Sequence, residues 1–327
     1  KIIASRAFDG CARMGSIVIP DGVTSIGNYA FADCVGLRNI YLNGLATVPD
    51  YAFHNCNSIK SLTIGEGVTE IGKEAFSYCT ALTGELVIPN STTHIGSMAF
   101  YKCSNITSLT LGENITDIED SAFSSCTNLT GRLVVPNSTK HIGAYAFESS
   151  SLTDVVIGDN VTVIDYGAFQ YSGYIRNVTL PDGLTTLNGC VFRNCSSITS
   201  IAIPASVTVI GGSTFDYCRN LKDVYITDLT AWCNIDFHDG SANPLCNNGN
   251  LYLNGEPGID LVIPDGITEL KQYAFCGTNS IRTITLPSSI QKLATYYVFT
   301  GQNQIFYFAS NPQTHANSID RTSVCHL

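Results

Sequence analysis

The chain has 327 residues, of which 44% are hydrophobic and 13% charged, and its net charge is −10 from 17 basic and 27 acidic residues. This composition supports a continuous apolar core beneath a surface of Ser, Thr, Asn, Gly and Tyr, which is typical of β-rich proteins. The negative charge and the lack of any Lys/Arg cluster argue against nucleic-acid binding. No stretch approaches the apolar length of a membrane span.

The chain begins in the middle of the repeat described below, because Ile3 has the place that Ile26 and Ile71 have in later repeats. It has no basic-then-apolar signal pattern at its N-terminus. A solenoid end without a polar cap exposes apolar core. We therefore expect the chain to be a trimmed segment of a longer protein, so that the missing signal peptide says nothing about export.

A nine-residue stretch, which we call the core motif, repeats along the chain and is most complete at Ile95-Gly96-Ser97-Met98-Ala99-Phe100-Tyr101-Lys102-Cys103. Its Phe recurs 22 to 24 residues apart at Phe8, Phe31, Phe53, Phe76, Phe100, Phe123, Phe147, Phe169, Phe192 and Phe215, and again at Phe275 and Phe299. Such a period is typical of a solenoid whose coils bury their apolar faces against each other. We predict a single repeat-solenoid domain over residues 1–327, mainly β, with about 12 to 13 coils of short parallel strands.

Each coil begins with a predicted strand, as in Ile106–Leu111, where Leu109 and Leu111 point inward and Ser108 and Thr110 point outward. A Pro or Gly then ends the strand, since Pro cannot donate a hydrogen bond to a sheet. Turn residues such as Asp21-Gly22 follow, and a second short segment leads into the core motif. Stacked coils therefore predict a parallel sheet along one side.

Eight of the 13 Cys residues lie three positions after the repeated Phe, and Ser150 and Ser172 occupy the same position in other coils. A position shared by Cys and Ser favours buried free thiols that act as weak hydrogen-bond donors. Disulfides between stacked coils remain an alternative, because neighbouring coils lie within bonding range. Cys233 and Cys246 stand outside this pattern and are the one pair that we would test for a bridge. No Cys/His cluster predicts a metal site.

The regular pattern covers residues 1–227 and is interrupted over 228–259, where 60 residues separate Phe215 from Phe275. The interruption contains the only Trp, Trp232, and we interpret it as a short helix or loop built onto one coil. Trp232 and Phe237 either fill the core where the motif is missing or form part of a binding face. Coils resume over 260–302, and residues 303–327 are predicted to form a final strand and a C-terminal cap.

The core motif, joined to strands such as Leu-x-x-Ile-x-Ile-Pro, resembles the BspA-type leucine-rich repeat over nearly the whole chain. The segment from Asp228 to Pro244 also resembles one found in gut-bacterial members of that family. The resemblance implies a curved right-handed solenoid, exported to the bacterial surface or secreted, with a role in adhesion to host proteins or other cells. The motif departs from the pattern at Gly189–Phe192 and at Cys276, which follows its Phe directly.

No catalytic constellation is present: the sequence lacks a G-x-S-x-G elbow, an H-E-x-x-H motif and a phosphate loop. Asp236, His238 and Asp239 could do acid–base chemistry or simply form a polar loop. Acidic and amide residues lie at successive turns, at Glu66, Asn90, Glu113, Asn137, Asp159 and Asp182. Stacked carboxylates could hold calcium, but turn propensity explains the same residues and is the favoured interpretation. We expect no enzyme activity, no cofactor and no metal.

The candidate ligand-binding residues are the outward side chains of the first strands. They form a column at Tyr41, Thr63, Val87, Thr110, Val134, Val156, Thr179, Ala202, Tyr225, Val262 and Thr285, beside a polar column at Glu85, Arg132, Asp154 and Asp223. They line the concave face if the solenoid curves with this sheet inside; otherwise they are ordinary β-surface. Tyr29, Tyr51, Tyr145, Tyr273 and Tyr297 form a second possible stripe. From these columns and the interruption we select Tyr41, Arg132, Asp154, Asp223, Tyr225 and Trp232 as the candidate ligand-binding residues.

These observations favour a monomeric, non-enzymatic surface or secreted protein that binds a protein ligand, such as a host extracellular or matrix protein. A structural spacer within a larger surface protein is the second hypothesis. Carbohydrate recognition by exposed aromatic side chains is a third.

Overall fold

A computed structural model describes residues 1–20, 22–278, 280–293, 298–300 and 305–308. The chain forms a parallel β-solenoid of about 12 turns, as the sequence predicts. Its strands are mostly two to five residues long, and within the described residues one short α-helix interrupts them. No helix in the described part of the chain is long and apolar enough to cross a membrane.

In residues 1–226 the strands are β1 (Ile2–Ile3), β2 (Ile17–Ile19), β3 (Ser25–Ile26), β4 (Asn39–Leu42), β5 (Thr47–Val48), β6 (Ser61–Ile64), β7 (Glu70–Ile71), β8 (Gly84–Val87), β9 (His94–Ile95), β10 (Ile106–Thr110), β11 (Asp117–Ile118), β12 (Thr130–Val134), β13 (His141–Ile142), β14 (Ser151–Val156), β15 (Val163–Ile164), β16 (Asn177–Thr179), β17 (Thr186–Leu187), β18 (Ser200–Ala202), β19 (Val209–Ile210) and β20 (Asp223–Ile226).

Helix α1 (Leu229–Cys233) follows, and then come β21 (Asp236–Phe237), two 3₁₀ helices (Gly240–Ala242 and Pro244–Asn247), β22 (Asn250–Leu253), β23 (Glu256–Pro257), β24 (Asp260–Val262), β25 (Glu269–Leu270), β26 (Phe275–Cys276), β27 (Thr283–Leu286), β28 (Lys292–Leu293), β29 (Phe299–Thr300) and β30 (Ile305–Phe308). The predicted C-terminal cap beyond Phe308 lies outside the described residues.

Two kinds of strand run along the solenoid. The longer strands stack in parallel on one side, in sheets such as β2–β4–β6 and β12–β14–β16. The two-residue strands form a continuous parallel sheet of nine strands, from β5 to β21. The longer strands alternate as predicted: in β4, Ile40 and Leu42 are buried and Tyr41 between them is exposed. The period-two pattern therefore places one row of side chains in the core and the next in solvent.

The core motif is a pair of tight turns. Met98 and Lys102 have φ of 56° and 58°, in the left-handed region. Between them the Ala99 N–H donates to Gly96 O within the coil (3.1 Å), whereas the Phe100 N–H donates to Ala122 O of the next coil (2.8 Å). Backbone groups of the turns are therefore paired alternately within a coil and between coils, which satisfies them in a buried setting.

The repeated Phe rings form a continuous stack from Phe8 to Phe215, with centroid separations between 5.1 and 5.9 Å in nearly parallel orientation. The preceding Ala is fully buried, as at Ala99 and Ala122. A larger side chain would not fit in this close-packed layer. The predicted role of the Phe as core is confirmed.

The Cys three residues after the Phe is a buried free thiol in seven coils, from Cys34 to Cys218, as the favoured prediction states, and an exposed one at Cys11. Cys103 Sγ donates to Phe76 O of the preceding coil at 3.1 Å, and the other thiols repeat this bond with small variation. Ser172 takes the same role, since its Oγ donates to Phe147 O at 3.1 Å. Either side chain therefore satisfies a turn carbonyl between two coils.

The interruption after β20 replaces one core motif. The Phe215 N–H donates to Ser241 O (2.9 Å), so that Ala242 stands where the next Phe is expected. Trp232 on α1 fills the missing volume: it is 1% exposed, and its Nε1 donates to Ala274 O at 2.9 Å. The core-filling alternative for Trp232 therefore accounts for its position.

The disulfide of this region joins Cys246 to Cys276, with a Cα–Cα distance of 5.3 Å. The Cys233–Cys246 pair suggested by the sequence is wrong, because Cys233 lies on the buried side of α1 as a free thiol. Cys246 instead lies on the second 3₁₀ helix, which packs against β26. This bridge also explains why Cys276 follows its Phe directly.

A hairpin of β22 and β23 is added to the side of the longer strands. β22 pairs in parallel with β20, and β23 returns antiparallel to β22. β24 then begins a further sheet with β27 and β30. The long-strand side is therefore divided at this hairpin.

We expect Phe123→Ala to lower the free energy of unfolding by about 3–5 kcal/mol, because it opens a cavity in the middle of the ring stack. Urea denaturation followed by circular dichroism measures the loss. Phe8→Ala is the matched control, since Phe8 is 37% exposed and Phe123 only 1%. Equal losses for the two variants would contradict an energetic role for the buried stack.

We expect the double variant Cys246→Ser/Cys276→Ser to lose about 3 kcal/mol of stability, because the bridge closes a loop of 30 residues. Thermal melting measures the change, and Cys11→Ser, at an exposed free thiol, is the control. Peptide mapping without reductant should recover the two cysteines in one linked pair. Recovery of a peptide that links Cys233 to Cys246 would refute the assignment.

Candidate functional site

The outward side chains of the longer strands form an exposed surface that we call the open face. Strand register aligns them coil by coil, as for Val18, Tyr41 and Thr63 or for Val134, Val156 and Thr179. The members of the open face are Val18, Tyr41, Thr63, Val87, Thr110, Val134, Val156, Thr179, Ala202, Tyr225, Tyr252, Val262 and Thr285. Val18 and Val262 are 63% and 69% exposed, so a row of apolar side chains faces solvent.

Two members of the open face were missing from the column predicted by sequence. Val18 aligns with Tyr41, and Tyr252 aligns with Tyr225. The Tyr225 and Tyr252 rings stack with centroids 4.8 Å apart and an angle of 23° between their planes. The Leu-Tyr-Leu alternation of β22 was a signal for Tyr252, but the broken spacing concealed its alignment.

The predicted polar column lies beside the open face and forms hydrogen-bonded ladders. Arg132, Asp154 and Asn177 are register partners, and Asn177 Nδ2 donates to Asp154 Oδ1 at 2.6 Å. Hydrogen bonds from Thr153 and Asn177, and the nearby Arg132 charge, hold the pKa of Asp154 below its ordinary value. Likewise Asn250 Nδ2 donates to Asp223 Oδ1 at 3.0 Å. Each carboxylate therefore already accepts a hydrogen bond from an Asn side chain of the next coil.

Trp232, the sixth selected residue, is buried and is not part of the open face. Its buried ring contacts Phe237, at a centroid distance of 5.3 Å, and offers no surface to a ligand. Tyr41, Arg132, Asp154, Asp223 and Tyr225 are accessible to different degrees and are spread along the solenoid rather than gathered in one place.

Two grooves lie along the open face. The first has a volume of about 600 Å³ and lies near Arg132, Val134 and Val156, at the turns around Pro136. The second has a volume of about 480 Å³ and lies over Ala202, between Asp182, Tyr225 and the Asn254-Gly255 turn. Each has the size of a small-ligand site.

The predicted tyrosine stripe lies on the core-motif side. Tyr29 and Tyr51 stack at 4.5 Å, with Arg6 4.4 Å from the Tyr29 centroid and Lys73 5.9 Å from that of Tyr51. These rings are half-buried against one another and against cationic side chains, as expected for residues that cover the surface of the coils. Tyr297 lies outside the described residues. More exposed tyrosines lie in or just after the core motifs of later coils, namely Tyr166, Tyr171, Tyr174 and Tyr217.

Of the polar residues considered for catalysis, Asp239 has a structural role. The Asp239 carboxylate accepts hydrogen bonds from the N–H groups of Ser213 and Ala242, and so caps the first 3₁₀ helix. The turn residue Asn137 likewise accepts from the Asp159 N–H at 3.1 Å. Across the described residues, no three His, Cys, Asp or Glu side chains lie close enough together to hold a metal ion.

His94 and His141, which begin β9 and β13, each contact a carboxylate on the next coil. His141 Nε2 lies 2.7 Å from Asp165 Oδ2, and His94 Nε2 lies 3.2 Å from Glu119 Oε1. These pairs join coils on the short-strand side, away from the open face.

A family model described as BspA type leucine-rich repeat region matches residues 1–130, 129–239 and 254–319, in six copies. The chain belongs to the BspA-type leucine-rich repeat family. Its coils, with the buried Phe stack and the thiol bonds, are the structural form of the repeat that the family model describes. A comparison with curated proteins finds no match.

Solved structures with similarity to this BspA-type chain include three bacterial leucine-rich repeat proteins. One from Bacteroides ovatus is 20% identical, covers 94% of this chain and 87% of its own, and has a TM-score of 0.43. One from Eubacterium ventriosum is 21% identical, with coverages of 90% and 78% and a TM-score of 0.47. A leucine rich cell surface protein from Faecalibacterium prausnitzii is 21% identical, with coverages of 98% and 85% and a TM-score of 0.39. Because these TM-scores lie below 0.5, the family match carries the assignment.

We expect the buried free thiols to resist alkylation in the folded protein. Burial raises the pKa of Cys218 and Cys233 to about 12, so their reactive thiolate fraction at pH 8 is on the order of 10⁻⁴. Cys11 is exposed and should react with iodoacetamide first. Peptide mapping after labelling, with a urea-unfolded sample as control, measures this; rapid labelling of Cys126 in folded protein would contradict it.

Proposed function

We propose that this segment is a non-enzymatic binding module of a bacterial surface or secreted protein, and that it binds a protein partner through the open face. The observation that carries the proposal is the recurrence of exposed apolar side chains along the open face, at Val18, Tyr41, Val87, Val134, Tyr225 and Val262. Among the described residues no other element covers this row. Exposed apolar side chains gathered on one face are more typical of an interaction site than of inert surface.

The first groove supplies the centre of the proposed interface. Val134 is half exposed, and Arg132 beside it is exposed and has no ion pair with another described residue. Arg residues that stand next to apolar pockets are frequent in the energetically dominant part of interfaces. The rigid ladder of Asp154 and Asn177 holds the neighbouring polar groups in fixed positions, which lowers the entropy lost on binding.

An extracellular location is part of the proposal. The Cys246–Cys276 bridge supports it, because disulfides persist in oxidising compartments. The BspA-type repeat supports it as well, through the surface role that the resemblance implies. We propose a host extracellular or matrix protein as the partner and a monomeric chain as the binding form.

A structural spacer is the second candidate. The regular stacking of the coils, with one hydrogen-bond pattern repeated through the core motifs, favours a stiff rod whatever its surface does. Binding distinguishes the two functions. A spacer binds no partner, and charged substitutions on its open face leave its function unchanged.

We expect Val87→Arg and Val134→Arg to weaken binding of the segment to its partner by at least roughly tenfold, because each places a charge in the apolar row without disturbing the core. Surface plasmon resonance against purified extracellular-matrix proteins measures the affinity.

Thr47→Arg is the matched control, since Thr47 is an exposed strand residue on the short-strand side. Its affinity should equal that of the unmodified chain. A segment that binds none of the matrix proteins, or variants that bind as well as the control, would overturn the proposal in favour of the spacer.

A further inference from the structure

The second groove differs from the first in having an aromatic ring on one side. Tyr225 lies between two register partners, Ala202 and Tyr252. One face of its ring stacks on Tyr252. On the other side the neighbour is Ala202, whose single methyl group is exposed and leaves the second ring face open toward the groove.

The floor of this groove is apolar and its edges are polar. Leu180, Ile203 and Ile226 are buried beneath it. Asp182, Ser206, Thr227 and Asn254 surround it. Ser206 Oγ already donates to Leu184 O at 2.6 Å, so its lone pairs are left to accept a hydrogen bond from a ligand.

The edge formed by Asn254 is fixed by the hairpin. Asn254 and Gly255 have φ of 53° and 84°, the conformation of a two-residue turn between β22 and β23. The Asn254 N–H also donates to Ile226 O at 2.9 Å. The amide side chain, which offers both donor and acceptor, therefore stands at a defined place beside the groove.

The charge of the groove restricts its ligand. Among the residues that line the groove, Asp182 alone carries a formal charge, and none of them is Lys or Arg. A phosphate, a sulfate or an acidic sugar would meet repulsion and no cation. A neutral molecule with an apolar face and several hydroxyl groups fits the ring, the apolar floor and the polar edges together.

We propose that this groove binds one unit of a neutral oligosaccharide, with the apolar face of its pyranose ring stacked on the open face of Tyr225. Hydroxyl groups of the sugar donate to Asp182 and Ser206 and exchange hydrogen bonds with Asn254. Tyr252 holds the Tyr225 ring in place from the other side. The first groove has no aromatic side chain in its lining and does not share this chemistry.

Saturation-transfer NMR on the whole segment tests the proposal with neutral tetrasaccharides: cellotetraose, xylotetraose, mannotetraose and maltotetraose. Tetragalacturonic acid serves as the anionic comparison. We expect saturation transfer to at least one neutral sugar, with a dissociation constant that is roughly millimolar, and none to the acid.

Ala202→Leu should weaken that binding by at least roughly tenfold, because the larger side chain fills the space beside the ring. Ala202 is exposed, so the fold should be unaffected, and thermal melting checks this. Thr179→Leu, at the equivalent exposed position of β16, is the matched control and should bind normally. Tyr225→Phe should also bind normally, because stacking requires the ring and not its hydroxyl, whereas Tyr225→Ala should not bind.

Three results would overturn the proposal: no saturation transfer to any of the four neutral sugars, stronger transfer to the acid, or equal binding by Ala202→Leu and Thr179→Leu. Failure here is separable from failure of the protein-binding function. Val87→Arg and Val134→Arg lie on other coils and should leave sugar binding unchanged, while Ala202→Leu should leave the first groove intact.

Discussion

The packing of each core motif on the next coil is the interaction on which this solenoid depends. At one position along the axis, a Phe ring stacks on its neighbour, a thiol or hydroxyl binds the previous turn carbonyl, and alternate backbone N–H groups reach the following coil. A single coil could satisfy none of these groups by itself. The residues of the motif are consequently committed to the core, and binding chemistry must lie on the strands that face outward.

At the interruption, different residues take the place of the missing core motif. Ala242 replaces a Phe, and Trp232 supplies the lost volume from α1. The Cys246–Cys276 bridge then fastens the replacement segment to the next coil. The same irregular region also contains the β22–β23 hairpin, which places Tyr252 beside Tyr225 and forms one end of the second groove. The second groove therefore lies where the repeat is interrupted.

The open face carries two grooves whose chemistry differs. Arg132 and the exposed Val134 lie at the first, while an aromatic ring, a carboxylate and an amide surround the second. Both are held by strands whose inward side chains are fixed in the core, so neither requires a large rearrangement on binding. The cysteines of the core motifs take no part in this chemistry, because from Cys34 to Cys218 their thiols are buried and bonded to turn carbonyls.

The repeat period, the buried Phe, the strand alternation and the role of the thiols were determined by the sequence alone, because each is a local pattern repeated in many coils. The left-handed turns at residues such as Met98 were not, since their side chains do not favour positive φ and the bonds between coils impose it. Only the tertiary structure decided that Cys246 pairs with Cys276, that Trp232 is buried, and that Tyr252, 27 residues after Tyr225 rather than 22 to 24, is its neighbour. All three depend on how the irregular segment packs against regular coils, and no repeat period encodes that packing.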